Sequence, residues 1–144
     1  MKKFFTLSIM TLLIVAVGVG CCACRKGKNN KSLTGQKWHM VKMMEQQLNI
    51  EPEQFLFSFE QGGKFAGVAA CNTLMGEYHI TEQGEMKFLN VASTRRMCRE
   101  AELESQFLAI LGRTTHYEID GDMLMLLSNG EVQIILQAKK HEAV

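Results

Sequence analysis

Two dipeptides in the last third of the chain constrain its fold more than any other feature. Asp120-Gly121 and Asn129-Gly130 each separate two short runs that are rich in apolar residues. Asp-Gly and Asn-Gly supply the positive φ angles that two-residue hairpin turns require. Residues 116–138 are therefore predicted to form a meander of three antiparallel strands.

Turns of similar composition occur earlier in the chain. Gln61-Gly62-Gly63 and Glu82-Gln83-Gly84 each divide a pair of apolar runs, and a further strand is expected around Trp38–Met44. In Phe55–Phe59 the aromatic side chains alternate with other residues, which places them on one face of a strand. About seven short strands joined by tight turns predict a meander sheet that curls into a small β-barrel.

One segment has helical instead of strand periodicity. From Leu103 to Leu111 the apolar residues recur at intervals of three and four, so they share one face of a helix. Gly112 is placed to end this helix. The fold class is thus predicted to be mainly β, of the α+β type, with one packed α-helix. Glutamates near the helix start suit the positive end of its dipole and are expected to form a solvated face: Glu100, Glu102 and Glu104.

The first twenty residues have the composition of a secretory signal. Lys2 and Lys3 precede an uncharged, strongly apolar stretch that ends in Gly18-Val19-Gly20-Cys21. A small residue directly before a cysteine, after such a stretch, is typical of a lipoprotein signal peptide. We predict a signal peptide over residues 1–20 and acylation of Cys21. Cys22 and Cys24 are alternative acylation sites, and an uncleaved membrane anchor is the alternative to cleavage.

Charge is distributed unevenly along the chain. Residues 1–31 hold six Lys or Arg and no acid, whereas residues 32–144 hold ten Lys or Arg and fifteen acids, a net charge of 10 − 15 = −5. An acidic domain gives no electrostatic reason to expect nucleic-acid binding. Residues 21–32 are predicted to be a flexible basic tether, and residues 33–140 a single domain. The expected location is the cell envelope, with the lipid-anchored domain facing the periplasm; surface exposure stays open.

Several short motifs follow one another through the predicted domain in a fixed order. Together they resemble the META domain family, the HslJ-like proteins of the bacterial envelope, over residues 33–138. The resemblance implies a β-barrel of lipocalin-like topology with one helix packed against it, an envelope location and an association with the heat-shock response, but no particular biochemical activity. The motifs are Leu33-Thr34-Gly35-x-x-Trp38, Gly67-Val68-Ala69-Ala70-Cys71-Asn72 with Gly76-x-Tyr78, Ser93-Thr94-Arg95-Arg96-Met97-Cys98, Glu104-x-x-Phe107, and Tyr117 with Leu124 and Leu126.

The resemblance also marks residues for structural roles. Asn72 and Thr94 are polar residues that are expected to fix backbone turns instead of holding a ligand. Trp38, Gly76 and Tyr78 complete the set of family-motif residues.

Cys71 and Cys98 are the cysteine pair that the family pattern singles out. In an oxidising periplasm they can form a disulfide. Two buried free thiols, which behave as small apolar side chains, are the alternative. A thiol-based redox enzyme is less favoured, because neither residue stands in a Cys-x-x-Cys motif.

No other arrangement of residues predicts catalysis or metal binding. His39, His79, His116 and His141 lack the spacing of metal ligands, and there is neither a phosphate-binding loop nor a nucleophile elbow. No metal, no cofactor and no enzymatic activity are therefore expected.

The leading functional prediction is a stress-related binding or interaction module with an envelope protein as partner. A carrier of a small apolar ligand is an alternative, although the many large apolar side chains predict a filled barrel interior. Arg95, Arg96 and Arg99 form the only basic cluster of the domain. They are expected either to meet an anionic partner or to lie in a solvated loop that is neutralised by the acidic helix start.

Overall fold

The structure is a computed structural model that describes residues 30–139. The predicted signal peptide, Cys21, the tether up to residue 29 and residue 140 lie outside the described residues.

One antiparallel sheet of nine strands and one helix make up the described part of the chain. About seven strands were expected, and the count was low. One uncounted strand is β2, which has two exposed glutamines and therefore no apolar alternation to predict it. The elements are β1 (Lys37–Met43), β2 (Gln46–Gln47), β3 (Phe55–Glu60), β4 (Lys64–Ala69), β5 (Asn72–Ile80), β6 (Met86–Ser93), α1 (Ala101–Arg113), β7 (His116–Asp120), β8 (Met123–Ser128) and β9 (Glu131–Ala138).

The strand order confirms the predicted fold class. The sheet runs β6-β5-β4-β3-β1-β9-β8-β7, with β2 paired to the end of β1. Strands that follow one another in the chain are sheet neighbours from β3 to β6 and from β7 to β9, and β1 lies between β3 and β9. This is the up-and-down arrangement of a curled sheet, which here forms a half-barrel.

The two outer strands of the sheet, β6 and β7, meet only at one point. Glu85 and His116 form an isolated antiparallel bridge. Beside it the Met86 N–H donates to the Thr115 carbonyl at 2.9 Å, and the Tyr117 N–H donates to the Gly84 carbonyl at 3.0 Å. We call this junction the seam. The helix α1 connects β6 to β7 along the chain and packs beside β6.

Aromatic side chains fill the space between the helix and the sheet. Phe55, Phe57 and Phe59 are all buried, as their alternation predicts. Phe107 of α1 stacks on Phe57 with ring centroids 4.8 Å apart and meets Phe55 edge-on at 5.8 Å. The helix is thus fixed to the barrel through the apolar face that its periodicity predicts.

The end of the helix differs from the prediction. Gly112 does not end it, because α1 continues to Arg113. Thr114 takes an extended conformation, and its hydroxyl donates to the Ile110 carbonyl at 2.9 Å. The Ser128 hydroxyl donates to the Arg113 carbonyl at 3.0 Å. Side-chain hydroxyls therefore satisfy the last carbonyls, and no glycine in a left-handed conformation is needed.

Three residues of the family motifs have structural roles in the barrel and do not contact the loop that follows β6. The fully buried Trp38 donates its ring N–H to the Leu33 carbonyl at 2.9 Å. The Tyr78 hydroxyl donates to the Glu60 carbonyl at 2.8 Å. A Cβ on Gly76 would lie 2.7 Å from the Phe65 ring, so only glycine fits there.

The end of the predicted tether is attached to the domain. The Asn30 side chain donates to the Ile119 carbonyl at 2.7 Å and accepts the Gly121 N–H at 2.8 Å. The Lys31 N–H donates to the Gly121 carbonyl at 2.7 Å. The chain therefore enters the domain at the β7–β8 turn. In the described range 30–139, no helix is long and apolar enough to cross a bilayer.

His39 is a partly buried histidine on β1. Its Nδ1 has no hydrogen-bond partner in the structure. Burial lowers the pKa of His39 below 6.5, and the charge of Lys139 lowers it further, whereas Glu53 and the Gln137 backbone act in the opposite direction. The folded protein thus favours the neutral imidazole.

This lowered pKa predicts acid sensitivity. The unfolded chain binds a proton at His39 before the folded protein does, so the free energy of unfolding falls as the pH drops through 6.5 toward the folded pKa. Urea denaturation measures the free energy of unfolding at each pH. Between about pH 7 and pH 5 this free energy should fall less steeply for His39→Gln than for the wild type. His116→Gln, at an exposed position, is the control. Parallel declines in wild type and His39→Gln would contradict the assignment.

Candidate functional site: a fixed loop at one end of the barrel

An exposed loop between β6 and α1 carries the basic cluster. This loop, residues 94–100, has no strand or helix, and we call it the arginine loop. Arg95, Arg96 and Arg99 are exposed, and Met97 is 93% exposed. Within the described residues none of these guanidinium groups forms an ion pair, since the one salt bridge there joins Lys139 to Glu53. The expected neutralisation by the acidic helix start is therefore not seen in residues 30–139.

The buried side chain of Asn72 holds the backbone of this loop. Its Oδ1 accepts the Arg96 N–H at 2.8 Å and the Thr94 hydroxyl at 2.8 Å. Its Nδ2 donates to the Arg96 carbonyl at 3.2 Å and to Glu104 Oε2 at 2.6 Å. Both polar atoms of the amide are thus fully used. Asn72 thus fixes the backbone of Arg96, the middle one of the three arginines in sequence.

Glu104 is the second buried polar group, with 6% of its surface exposed. Besides Asn72, it accepts the Ser93 hydroxyl on Oε1 at 2.7 Å. Both donors are neutral, and the carboxylate lies in the first turn of α1, where the helix dipole favours negative charge. Hydrogen bonds to both oxygens offset the cost of burying this group. Glu104 thereby joins the helix to β5 and β6.

The expectation of a solvated face was wrong for Glu104. The residue stands three positions before Phe107 and seven before Leu111, which is the spacing of the buried face. That spacing was the available signal, together with its place in a family motif. Ser93, the other partner of the network, opens the family motif Ser93–Cys98, but no role was predicted for it, because its contact with Glu104 is not visible in the sequence.

A disulfide joins the same loop to the β4–β5 turn. Cys71 and Cys98 are bonded, with a Cα–Cα distance of 6.2 Å and a sequence separation of 27. The structure therefore has the disulfide expected from the family pattern instead of two free thiols. Asn72 and the disulfide act at adjacent positions on one strand end and hold two points of the arginine loop.

The arginine loop and the chain entry lie at opposite ends of the barrel. The loop follows β6 and is bonded to the β4–β5 turn, whereas Asn30 contacts the β7–β8 turn. Because successive strands alternate in direction around the sheet, these two turns fall at opposite ends.

Two grooves open on the surface of the domain. One, of about 480 Å³, lies between β6 and α1, with Asn72 and Glu104 in its lining. The other groove, of about 920 Å³, lies between β3 and the segment that precedes β1. Most of the residues that line it have polar side chains, such as Ser58 and Glu60. In residues 30–139 no three His, Cys, Asp or Glu side chains are grouped so that they could hold a metal ion.

Comparison with family models identifies the domain. The model of the META domain matches residues 31–141. The chain belongs to the META domain family. Of the META motif residues named above, the structure brings five together at the arginine loop: Cys71, Asn72, Thr94, Cys98 and Glu104.

Solved structures share the fold of this META domain at low sequence identity. A DUF4847 family protein from Bacteroides vulgatus is 16% identical, with a TM-score of 0.59 over 77% of this chain and 96% of that chain. A protein from Burkholderia xenovorans, solved by NMR, is 16% identical, with a TM-score of 0.58 over 76% and 85%. A further NMR structure is 19% identical, with a TM-score of 0.56 over 71% and 87%. The comparison with curated proteins gives no match.

Removal of the Asn72 amide should release the arginine loop. Asn72→Ala leaves the buried Glu104 carboxylate with one donor fewer and frees the Arg96 backbone, at an expected cost of about 2–3 kcal/mol in the free energy of unfolding. Urea denaturation measures the cost, and hydrogen exchange at the Arg96 amide measures the release. Asn49→Ala removes an exposed amide that forms no side-chain hydrogen bond within the described residues and should cost less than about 0.5 kcal/mol. Equal costs for the two variants would contradict the role given to Asn72.

Proposed function

We propose that this META-family protein is a non-enzymatic lipoprotein of the cell envelope. Its domain serves as a binding or interaction module, in the stress-related setting that the family resemblance implies. The lipid is attached at Cys21, the domain faces the periplasm, and the partner is another envelope protein. Support for the lipid anchor comes from the sequence, since Cys21 lies outside the described residues.

The observation that carries the proposal is the fixed geometry of an exposed, irregular loop. Connections of this kind are usually the mobile parts of a domain. Here Asn72 holds both the N–H and the carbonyl of Arg96, and the disulfide holds Cys98. A loop that is ordered before binding loses less conformational entropy when the partner arrives. A loop that only connects a strand to a helix does not need such fixed geometry, whereas a recognition loop benefits from it.

The position of the loop also supports this function. The described chain begins at the β7–β8 end of the barrel, where Asn30 is bonded. A lipid attached at Cys21 would thus hold that end toward the membrane. The arginine loop, at the other end, would face away from it and toward soluble or membrane-bound partners.

Two alternatives have less support. Redox-active cysteine pairs usually stand in Cys-x-x-Cys motifs, whereas Cys71 and Cys98 are 27 positions apart and join a turn to a loop. A carrier of a small apolar ligand needs an apolar cavity. Inward side chains such as Trp38, Phe55 and Leu74 occupy the barrel interior and have no exposed surface.

The lipid anchor is tested by replacing the acylated cysteine. In cells grown with an alkyne-labelled fatty acid, the wild-type chain is expected to carry the label and Cys21→Ala is not. Cys21→Ala should also be lost from the membrane fraction. Cys22→Ala is the matched control and should keep the label. Undiminished labelling and membrane association of Cys21→Ala would show that the proposed site is wrong.

The interaction function is tested by cross-linking from the loop in intact cells. A photoreactive amino acid at Met97 is expected to give a discrete adduct with one envelope protein. The same group at Ile80, which is 38% exposed at the other end of the barrel, should not give it. The adduct should weaken in the Asn72→Ala background, because the loop is then mobile. No adduct, or the same adduct from both positions, would contradict the proposal.

A further inference from the structure

The outer edge of β6 has no strand partner over most of its length. Within residues 30–139 this edge meets β7 only at the Glu85–His116 bridge. The Met86 N–H points outward to Thr115, whereas the Thr94 N–H points to Thr73 of β5. Backbone groups alternate along a strand, and the register shift between Leu89 and Ala92 reverses this alternation, so the N–H and carbonyl of Phe88 and of Ser93 both point away from β5.

A groove borders the last residues of this open edge, Val91–Ser93. It has a volume of about 480 Å³, and its two walls are β6 with the start of the arginine loop, and one face of α1. The helix wall presents Ala101, Glu104, Ser105 and Leu108, and two of these side chains, Ala101 and Ser105, are small. We call it the β6–α1 groove. An edge strand facing a helix across an open groove leaves room for one further extended chain.

The polar groups of the groove differ in what they still offer to a ligand. The Asn72 amide is saturated, and both Glu104 oxygens already accept hydrogen bonds. Arg95, in contrast, lines the same groove, is exposed and forms no ion pair within the described residues. The groups that remain available are therefore the backbone of the β6 edge and a guanidinium group at its end.

We propose that the β6–α1 groove binds an extended peptide segment of a partner protein, which pairs as an added strand with β6 and places an acidic side chain at Arg95. The proposal rests on the interaction function proposed above and assigns it a surface and a ligand chemistry. The backbone edge selects an extended peptide, and the unpaired guanidinium selects a carboxylate. Arg96 and Arg99, on the neighbouring loop, extend the positive surface beyond the groove.

The test begins with a library of random peptides selected on the oxidised full-length protein in detergent. The selected peptides should contain an acidic residue within a stretch of β-forming residues. A labelled peptide from this set should bind Ser105→Tyr at least about tenfold more weakly, because the ring fills the groove. Ala109→Tyr places the same ring on an exposed helix position outside the lining and should bind normally.

Arg95→Gln separates charge recognition from occupancy of the groove. The substitution should lower the affinity for the acidic peptide about tenfold, because a hydrogen bond between charged groups contributes a free energy of that size. An analogue with glutamine in place of the acid should bind wild type and Arg95→Gln equally. Lys87→Gln, on β6 but outside the lining, is the charge control.

Hydrogen exchange on the wild-type protein tests strand addition without any variant. Bound peptide should slow exchange at the Phe88 and Ser93 amides. Peptides N-methylated on the edge that faces β6 should not bind.

Several results would overturn the proposal: selection of no peptide, selection of basic peptides, equal binding to Ser105→Tyr and Ala109→Tyr, or unchanged exchange at Phe88 and Ser93. Binding of a second copy of the chain along this edge would do so as well, and sedimentation would reveal it. If the Met97 adduct still forms in those cases, the interaction function stands and the groove assignment falls. If the adduct is also absent, both fall.

Discussion

A curled antiparallel sheet has two outer edges, and each unpaired edge exposes backbone groups that must find partners or cover. In this protein the edges are β6 and β7, which meet at one bridge and diverge beyond it. The helix α1 connects these two strands along the chain and packs beside β6. The position of α1, the loop that leads into it and the groove beside it all result from this incomplete closure.

The helix must therefore be held on one side by packing and on the other by polar contacts. Phe107 fixes its inner face through two aromatic contacts. Glu104 fixes its first turn through Asn72 and Ser93, with both carboxylate oxygens satisfied by neutral donors. The same amide of Asn72 holds Arg96. One buried side chain thus determines where the helix begins and how the exposed loop before it is presented.

Most of the fold could be predicted from local signals. Asp120-Gly121 and Asn129-Gly130 indicated their hairpins, because positive φ angles there depend on local residues: Asn129 and Gly130 both have them, and Gly121 has one in a turn formed by Gly121 and Asp122. The alternation in Phe55–Phe59 and the periodicity around Phe107 indicated the buried faces. Local signals do not specify which strands become edges, since that depends on closure of the whole sheet. The open side of β6 and its groove therefore emerge only from the structure.

The candidate site was only partly accessible to such reasoning. Cys71, Asn72, Thr94 and Cys98 were marked by the family pattern, and the structure places them together. Glu104 was assigned to solvent because charged residues near a helix start are usually hydrated. Its burial depends on an amide that is 32 positions away in the sequence. The helical spacing places Glu104 on the buried face, but the amide that satisfies it there cannot be identified from that spacing.

The bond between Cys71 and Cys98 also persists when the domain unfolds. Residues 71–98 then remain a covalent ring that contains β5 and β6. In the chain-entropy account, a ring of this size restricts the denatured ensemble by about 3.6 kcal/mol. The hairpin with the open edge is consequently the part of the sheet whose strands never separate fully. Refolding can start from a pair of strands that are already close together, before the barrel has formed around them.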